Sequence, residues 1–148
     1  MRVIVQRVKK ARVEVDQEVK GQIEAGFLLL VGIAKTDQEE NIRWMAKKIA
    51  HLRVFEDENQ KLNLSLLDKK YPVLSVSQFT LYGDTKRGNR PSFTEAASGD
   101  EAIRLFELFN DALHQYGIHV ESGVFGAYMD VHLVNDGPVT IIIDSDAK

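Results

Sequence analysis

The sequence predicts an α+β fold: one domain over residues 1–148, built on a curved, barrel-like, mostly antiparallel sheet with two main helices. Three observations carry that expectation. Apolar residues recur in short runs with a period of two, two longer stretches repeat them at helical spacing, and no regular strand-helix-strand alternation runs through the chain. The balance of 44% apolar and 28% charged residues is that of a globular protein with a core of its own.

From the start of the chain, Val3, Val5, Val13 and Val15 alternate with polar residues, and Lys9-Lys10-Ala11-Arg12 reads as a bulge or turn interrupting one strand. Residues 18–23 are a second short strand. Residues 27–33 are continuously apolar and too short for a helix, which suits a central strand covered on both faces. Thr36-Asp37-Gln38-Glu39 has capping-box spacing, and Ile42, Met45, Ala46 and Ile49 follow on one face, predicting a helix of about four turns. Residues 53–55 return to strand character before Glu56-Asp57-Glu58-Asn59, an acidic stretch that serves turn geometry, since no calcium-loop spacing follows. Residues 73–81 form the most strand-like segment of the second half, yet they carry Ser75, Ser77, Gln78 and Thr80. Polar groups in so apolar a strand point to a use for them or for the backbone beside them. Ser98 and Glu101 repeat the capping-box spacing ahead of Ile103, Phe106, Phe109, Leu113 and Tyr116, a helical core stripe that ends at Gly117. Residues 119–121, 129–134 and 139–143 supply closing strands, and 144–148 a polar tail.

A net charge of −3 restricts nucleic-acid contact to a local basic patch, and the absence of cysteine removes disulfides, thiolate nucleophiles and the usual structural zinc sites. His51, His114, His119 and His132 show no metal-ligand spacing and read as surface or packing residues. No dinucleotide, P-loop or serine-hydrolase fingerprint occurs. No stretch approaches the ~20 apolar residues of a membrane span. Residues 1–7 alternate like a strand rather than building a signal peptide, so a cytoplasmic protein without metal or cofactor is expected.

Three features remain. Asn135-Asp136-Gly137-Pro138 lies between two strand candidates. Glycine reaches backbone angles closed to other residues and proline fixes φ and permits a cis bond, so Gly137-Pro138 can aim two carbonyl oxygens rigidly. From these residues alone an ordinary turn between two strands is the favoured reading. The hydroxyls of residues 77–80 are the second feature. The third is the loop of residues 83–91, where Lys86, Arg87 and Arg90 accompany Gly88 and Asn89 and compete with the reading of a plain solvated surface.

Together, Ser77-Gln78-Phe79-Thr80-Leu81 and Asn135-Asp136-Gly137-Pro138-Val139-Thr140 resemble the two signature motifs of the D-aminoacyl-tRNA deacylases, also called D-tyrosyl-tRNA deacylases. The resemblance runs from Met1-Arg2-Val3-Ile4-Val5-Gln6-Arg7-Val8 through Gly83-Asp84 and residues 86–91 to Ile143, essentially the whole chain. It implies a cytoplasmic hydrolase that cleaves the ester joining a D-amino acid to the tRNA 3′-terminal adenosine, a proofreading of chirality that leaves L-aminoacyl-tRNA intact. It also implies a homodimer with active sites at the interface and no cofactor.

By the same resemblance the ester lies near Ser77, Gln78, Phe79 and Thr80. Gly137 and Pro138, joined by a cis bond, reach into the partner's site, where their carbonyls reject an L residue. Glycine, with no Cβ, passes such a filter, so glycyl-tRNA is an expected second substrate. Two mechanisms stay open: Thr80 as nucleophile, or water aided by the adenosine 2′-OH with backbone amides around Gln78 and Phe79 as an oxyanion hole and Ser77 positioning. Arg7 is assigned to holding the Gly-Pro carbonyls, with a surface arginine as the competing reading. Lys86, Arg87 and Arg90 are assigned to tRNA phosphates. Phe125 and Met129 are assigned to the adenosine pocket, where core packing explains them as well. The rival from another class is a non-catalytic, dimeric RNA-binding module.

Overall fold

Fourteen residues of alternating character make β1 (Arg2–Val15) the strand from which the sheet is built in the computed structural model, which describes residues 1–147. It is followed by β2 (Glu18–Ile23), β3 (Gly26–Gly32), α1 (Glu39–Ala50), the short hairpin β4 (Phe55–Glu56) and β5 (Leu62–Leu64), and the single turn α2 (Leu66–Lys69). Then come β6 (Val73–Ser77), a 3-10 turn (Phe79–Tyr82), α3 (Gly99–Gln115), β7 (Val120–Ser122) and β8 (Asp130–Asp144). Of the polar tail, Ser145–Ala147 form a 3-10 turn and Lys148 lies outside the described residues.

One edge of β1 pairs antiparallel with β3 and then with β2, and the other pairs antiparallel with β8 along nearly its whole length. From β3 the sheet continues through β6 and β7, both parallel. It curls until β2 approaches β7, where a Cβ on Gly21 would stand 2.9 Å from the Ser122 carbonyl oxygen. The expected curved sheet is therefore present, antiparallel around β1 and parallel beyond β3. The two faces of the sheet divide the core: Val3, Val5, Phe27, Leu29 and Val31 pack against the helices, while Val8, Ala11, Val13, Leu28, Leu74 and Val76 fill the concave face, the slip in β1 at Lys9 carrying Ala11 and Val13 across. Burial on both faces explains the unbroken apolar run of β3.

Several expectations shift by a turn or less. β1 runs unbroken, so the expected interruption is a bulge and not a turn: its register against β8 slips at Lys9, between Val8 and Lys10, with further irregularities at Gln6/Val8 and, against β2, at Val13/Glu14. α1 is capped by Gln38 with Asn41, not Thr36 with Glu39, because Asp37 is drawn into the core. Ser98 is the N-cap residue of α3 but its side chain makes no capping bond; Glu101 instead pairs with Arg104, which reaches across to Glu39 of α1 at 2.7 Å. The buried stripe of α3 is Ala102, Leu105, Phe106, Phe109, Ala112 and Leu113, leaving Ile103 and Tyr116 on its margins. The acidic tip acts as a turn, the Asp57 carboxylate accepting from the amides of Asn59 and Lys61. The two expected closing strands at 129–134 and 139–143 join into one, β8, which starts at Asp130, and residues 73–81 leave the sheet after Ser77.

Asp37 closes the end of the sheet where β3 turns into α1. Its carboxylate accepts from the buried Met1 ammonium and, at 2.7 Å, from the Ala34 amide, and the ammonium also donates to Ser145 Oγ at 2.7 Å. Removing one partner of a buried pair leaves the other charge unsolvated, a loss of about 3–5 kcal/mol. Asp37→Ala is therefore expected to lower the urea midpoint sharply with little change in m; an unchanged midpoint would remove this cluster from the account.

Candidate active site

The parallel strands β3 and β6 end together, Val31 opposite Ser77. The Gln78 amide donates to the Val31 carbonyl at 2.7 Å, completing the last rung, and the chain then winds into the 3-10 turn, with the Leu81 and Gly83 amides donating to the carbonyls of Gln78 and Thr80. The amides of Phe79 and Thr80 open this turn and have no carbonyl within it to bond, as at any helix start. They lie where ligands collect in sheets with parallel strands, at the carboxyl ends.

Above them is a cavity of 370 Å³. Ser77, Gln78, Phe79 and Thr80 form one side, and Phe125, Tyr128 and Met129 from the glycine-bounded loop ahead of β8 form the other. Val31, Ile33, Ala97 and Ala102 complete an apolar floor. Phe125 is steadied by Phe106 of α3 at 5.7 Å between ring centroids, and Phe79 by Phe93, edge-on at 5.2 Å. Gln78 Nε2 donates to Thr80 Oγ1. Among the described residues, none that lines the cavity is a histidine, aspartate or glutamate. Tyr82, at the end of the turn, lies under the Arg2 guanidinium, and burial together with the Asp37 and Asp144 carboxylates pushes its hydroxyl well above the usual tyrosine range. It therefore stays neutral.

The structure thus gathers Ser77, Gln78, Phe79, Thr80, Phe125 and Met129 into one place. Ser75, flagged with them, lies in β6 fully buried, away from the cavity, and its hydroxyl has no partner. The basic loop follows the 3-10 turn: the paired amides and carbonyls of Asp84 and Ser92 pin its base, Phe93 beyond it packs on Phe79, and Lys86, Arg87 and Arg90 are all exposed. Sequence reasoning missed Tyr128, 91% exposed at the edge of the cavity. Its only signal was its place in the loop between Gly126 and Met129. The four histidines lie elsewhere, His132 near Glu14 and His119 near Glu121.

Gly137 and Pro138 are at the other end of β3. In the β1–β8 ladder Gln6 faces Thr140 and Val8 faces Asn135, so residues 136–139 bulge out opposite Arg7 alone. Both flanking runs keep pairing with the same strand, which corrects the expected turn to a bulge. The described residues contain no cis peptide bond, which corrects the expectation for Gly137-Pro138; Gly137, at φ +69°, absorbs the excess chain by its own dihedrals. Arg7 is indeed built into this feature, 7% exposed, but the carbonyl it holds is that of Asp136, from Nε at 2.9 Å. Its Nη1 donates to the Val54 carbonyl at 2.7 Å, and a Cβ on Gly137 would lie 3.3 Å from Nη2. Arg7 pairs with Phe27 and Ser77 with Val31, four residues apart on β3, or about 13 Å along the strand. Bulge and cavity are separate regions of one chain.

Comparison with known proteins places the chain in a family. The sequence model of the family described as D-Tyr-tRNA(Tyr) deacylase matches residues 4–144. A D-aminoacyl-tRNA deacylase of Thermus aquaticus is 60% identical over 148 residues, covering 100% of this chain and 97% of its own. One from Bacillus pumilus is 59% identical over 98% of this chain and 99% of its own. Among solved structures, the c-Myc DNA Unwinding Element Binding Protein superposes with a TM-score of 0.91 at 40% identity, over 97% of this chain and 98% of that one. A probable eukaryotic D-amino acid tRNA deacylase, 17% identical over 96% and 97% of the two chains, shares the fold with a TM-score of 0.82. With the match spanning nearly the full sequence, this chain belongs to the D-Tyr-tRNA(Tyr) deacylase family.

Proposed function

We propose that the protein is a cytoplasmic homodimer that hydrolyses D-aminoacyl-tRNA, and glycyl-tRNA held on a non-cognate tRNA, while leaving L-aminoacyl-tRNA intact. The observation that carries the reading is the convergence of residues 77–80 with Phe125 and Met129 on one cavity at the ends of β3 and β6. The adenosine lies against Phe125 and Met129, and the ester reaches the start of the 3-10 turn. The Gln78 amide is held by Val31, which moves the expected oxyanion hole one residue on, to the amides of Phe79 and Thr80. Donors fixed in this way are worth ~10²–10³ in rate when aimed at a tetrahedral oxyanion.

Water is the favoured nucleophile. Thr80 Oγ1 already accepts from Gln78, and no side-chain base lines the cavity to take a proton from the hydroxyl, whereas the substrate brings its own 2′-OH. Ser77 positions the ester. Handedness comes from exclusion, because attraction distinguishes a methylene by only ~1–3 kcal/mol. A carbonyl placed where an L residue carries Cβ clashes with it and passes a D residue, whose hydrogen lies there. The Gly137-Pro138 bulge supplies that carbonyl from the partner subunit, which its distance from its own cavity supports. Lys86, Arg87 and Arg90 meet tRNA phosphates.

Mixing the protein with D-tyrosyl-tRNA and L-tyrosyl-tRNA should release D-tyrosine preferentially; no preference at any enzyme level would favour the rival reading of a non-catalytic, dimeric RNA-binding module. Thr80→Val and Thr80→Ala should keep single-turnover rates within about tenfold of the parent, since one positioning hydrogen bond is worth about 0.5–1.5 kcal/mol. Near-complete loss in both, with Thr80→Ser active, would make Thr80 the nucleophile. Neutralising Lys86, Arg87 and Arg90 together should weaken tRNA binding and flatten its dependence on salt. An unchanged slope would return the loop to plain surface.

A further inference from the structure

The last turn of α1 opens onto a second cavity, of 380 Å³, lined by Trp44, Lys47, Lys48, His51, Leu52 and Arg53. In a chain of net charge −3 this is a local concentration of cationic side chains around an indole. The Lys48 ammonium lies 6.0 Å from the centre of the Trp44 ring. His51 is held by the Lys47 carbonyl at 2.8 Å and packs edge-on against Tyr116 at 5.5 Å. Arg53 is fixed by Nε donating to the Asn63 carbonyl at 2.8 Å. Compensation of the helix dipole accounts for lysines in a last turn, but not for Arg53 beyond the helix or for the indole wall. The acid facing this group is Asp68 of α2, held below the usual carboxylate range by the Ser65 amide and hydroxyl, with Arg53 and His51 adding attraction. Lys47, Lys48 and Arg53 thus bring three cationic side chains to the lining of one cavity.

Its position matters as much as its charge. Arg53 precedes Val54, whose carbonyl binds Arg7, and Arg7 in turn binds Asp136 in the Gly137-Pro138 bulge. We propose that this cavity binds the sugar-phosphate backbone of the tRNA whose acylated end occupies the partner subunit's catalytic cavity. The inference rests on the reading above, in which the bulge enters that cavity. If the acylated end lies against the bulge, the nucleotides leading to it pass the cationic surface beside it. Lys47, Lys48 and Arg53 meet phosphates there, and Trp44 offers an apolar face to a ribose or an unstacked base.

The test compares the parent with K47Q/K48Q, R53Q and the triple variant. Three quantities are read: kcat and KM on D-tyrosyl-tRNA, the same constants on the D-tyrosyl ester of adenosine alone, and the affinity for uncharged tRNA against KCl concentration. In the triple variant KM for the tRNA substrate should rise about tenfold or more, and the log–log salt slope should fall by about 2 to 3, at ~0.7–0.9 per lost phosphate contact. Both constants on the adenosine ester should stay at the parent values, which also shows that the fold is intact. Equal losses on both substrates would make the cavity structural and overturn the proposal. Unchanged tRNA affinity and slope would overturn it too. A parent that cleaves neither ester would defeat the deacylase reading instead, and the uncharged-tRNA titration would still decide whether the cavity binds RNA.

Discussion

A guanidinium buried in a β-ladder must find acceptors for its donors, or its desolvation outweighs what packing gains. Arg7 finds them outside the regular ladder, in the Asp136 carbonyl of the bulge and the Val54 carbonyl ahead of β4, with Glu56 at 3.9 Å. β8 therefore departs from β1 at this point, and residues 136–139 stand out opposite a single residue. Gly137 is suited to the departure on two counts, its positive φ and the guanidinium 3.3 Å from where a Cβ would be. Pro138 then re-enters the strand with φ fixed and no amide to satisfy. The most conspicuous turn signal in the sequence is thus shaped by a charge more than a hundred residues away from it.

The parallel pairing of β3 with β6 sets the rest. Both strands deliver their carboxyl ends to one place, where the 3-10 turn leaves the Phe79 and Thr80 amides without partners inside it and the loop before β8 folds over them. β1 runs antiparallel to β3, so its Arg7 and the bulge lie toward the start of β3 instead. A bulge at one end of a strand and a cavity at the other fit the proposed site completed across two subunits. The cationic cavity at the end of α1 lies on the side of the bulge, so in such a dimer it would belong with the partner's substrate.

The elements read most readily from sequence were those whose local pattern and tertiary role coincide. The alternation of β1, the apolar run of β3 and the stripe of α1 each announce the surface they bury. Errors arose where distant partners override local spacing. Thr36 and Glu39 suit a capping box, but Asp37 is claimed by the Met1 ammonium and the Ala34 amide, so the helix is capped at Gln38. Residues 129–134 and 139–143 look like two arms of a hairpin, and only their common pairing with β1 shows them to be one strand. Within the site, residues 77–80 were legible because serine, glutamine and threonine are out of place in an apolar strand. Tyr128 was not, since nothing in the spacing of Val124, Phe125, Ala127, Tyr128 and Met129 sets it apart from its apolar neighbours, and neither was the assembly of Trp44, Lys47, Lys48 and Arg53, which depends on how α1 ends against the following segment.

The central claim is that the filter acts in trans, and a mixed dimer tests it directly. One subunit carries Gly137 and Pro138 unaltered with a catalytic cavity disabled by Phe79→Pro, which removes one of the two proposed oxyanion amides; the other keeps its cavity and carries Pro138→Ala, which frees φ at the bulge. Alone, the first should be inactive and the second should cleave D- and L-tyrosyl-tRNA with reduced preference. When the two are unfolded together and refolded as mixed dimers, the intact cavity should face the intact bulge, and the ratio of D- to L-tyrosine released should rise toward the parent value. A ratio that stays at the value of the Pro138→Ala protein, with mixed dimers verified by mass, would contradict the account.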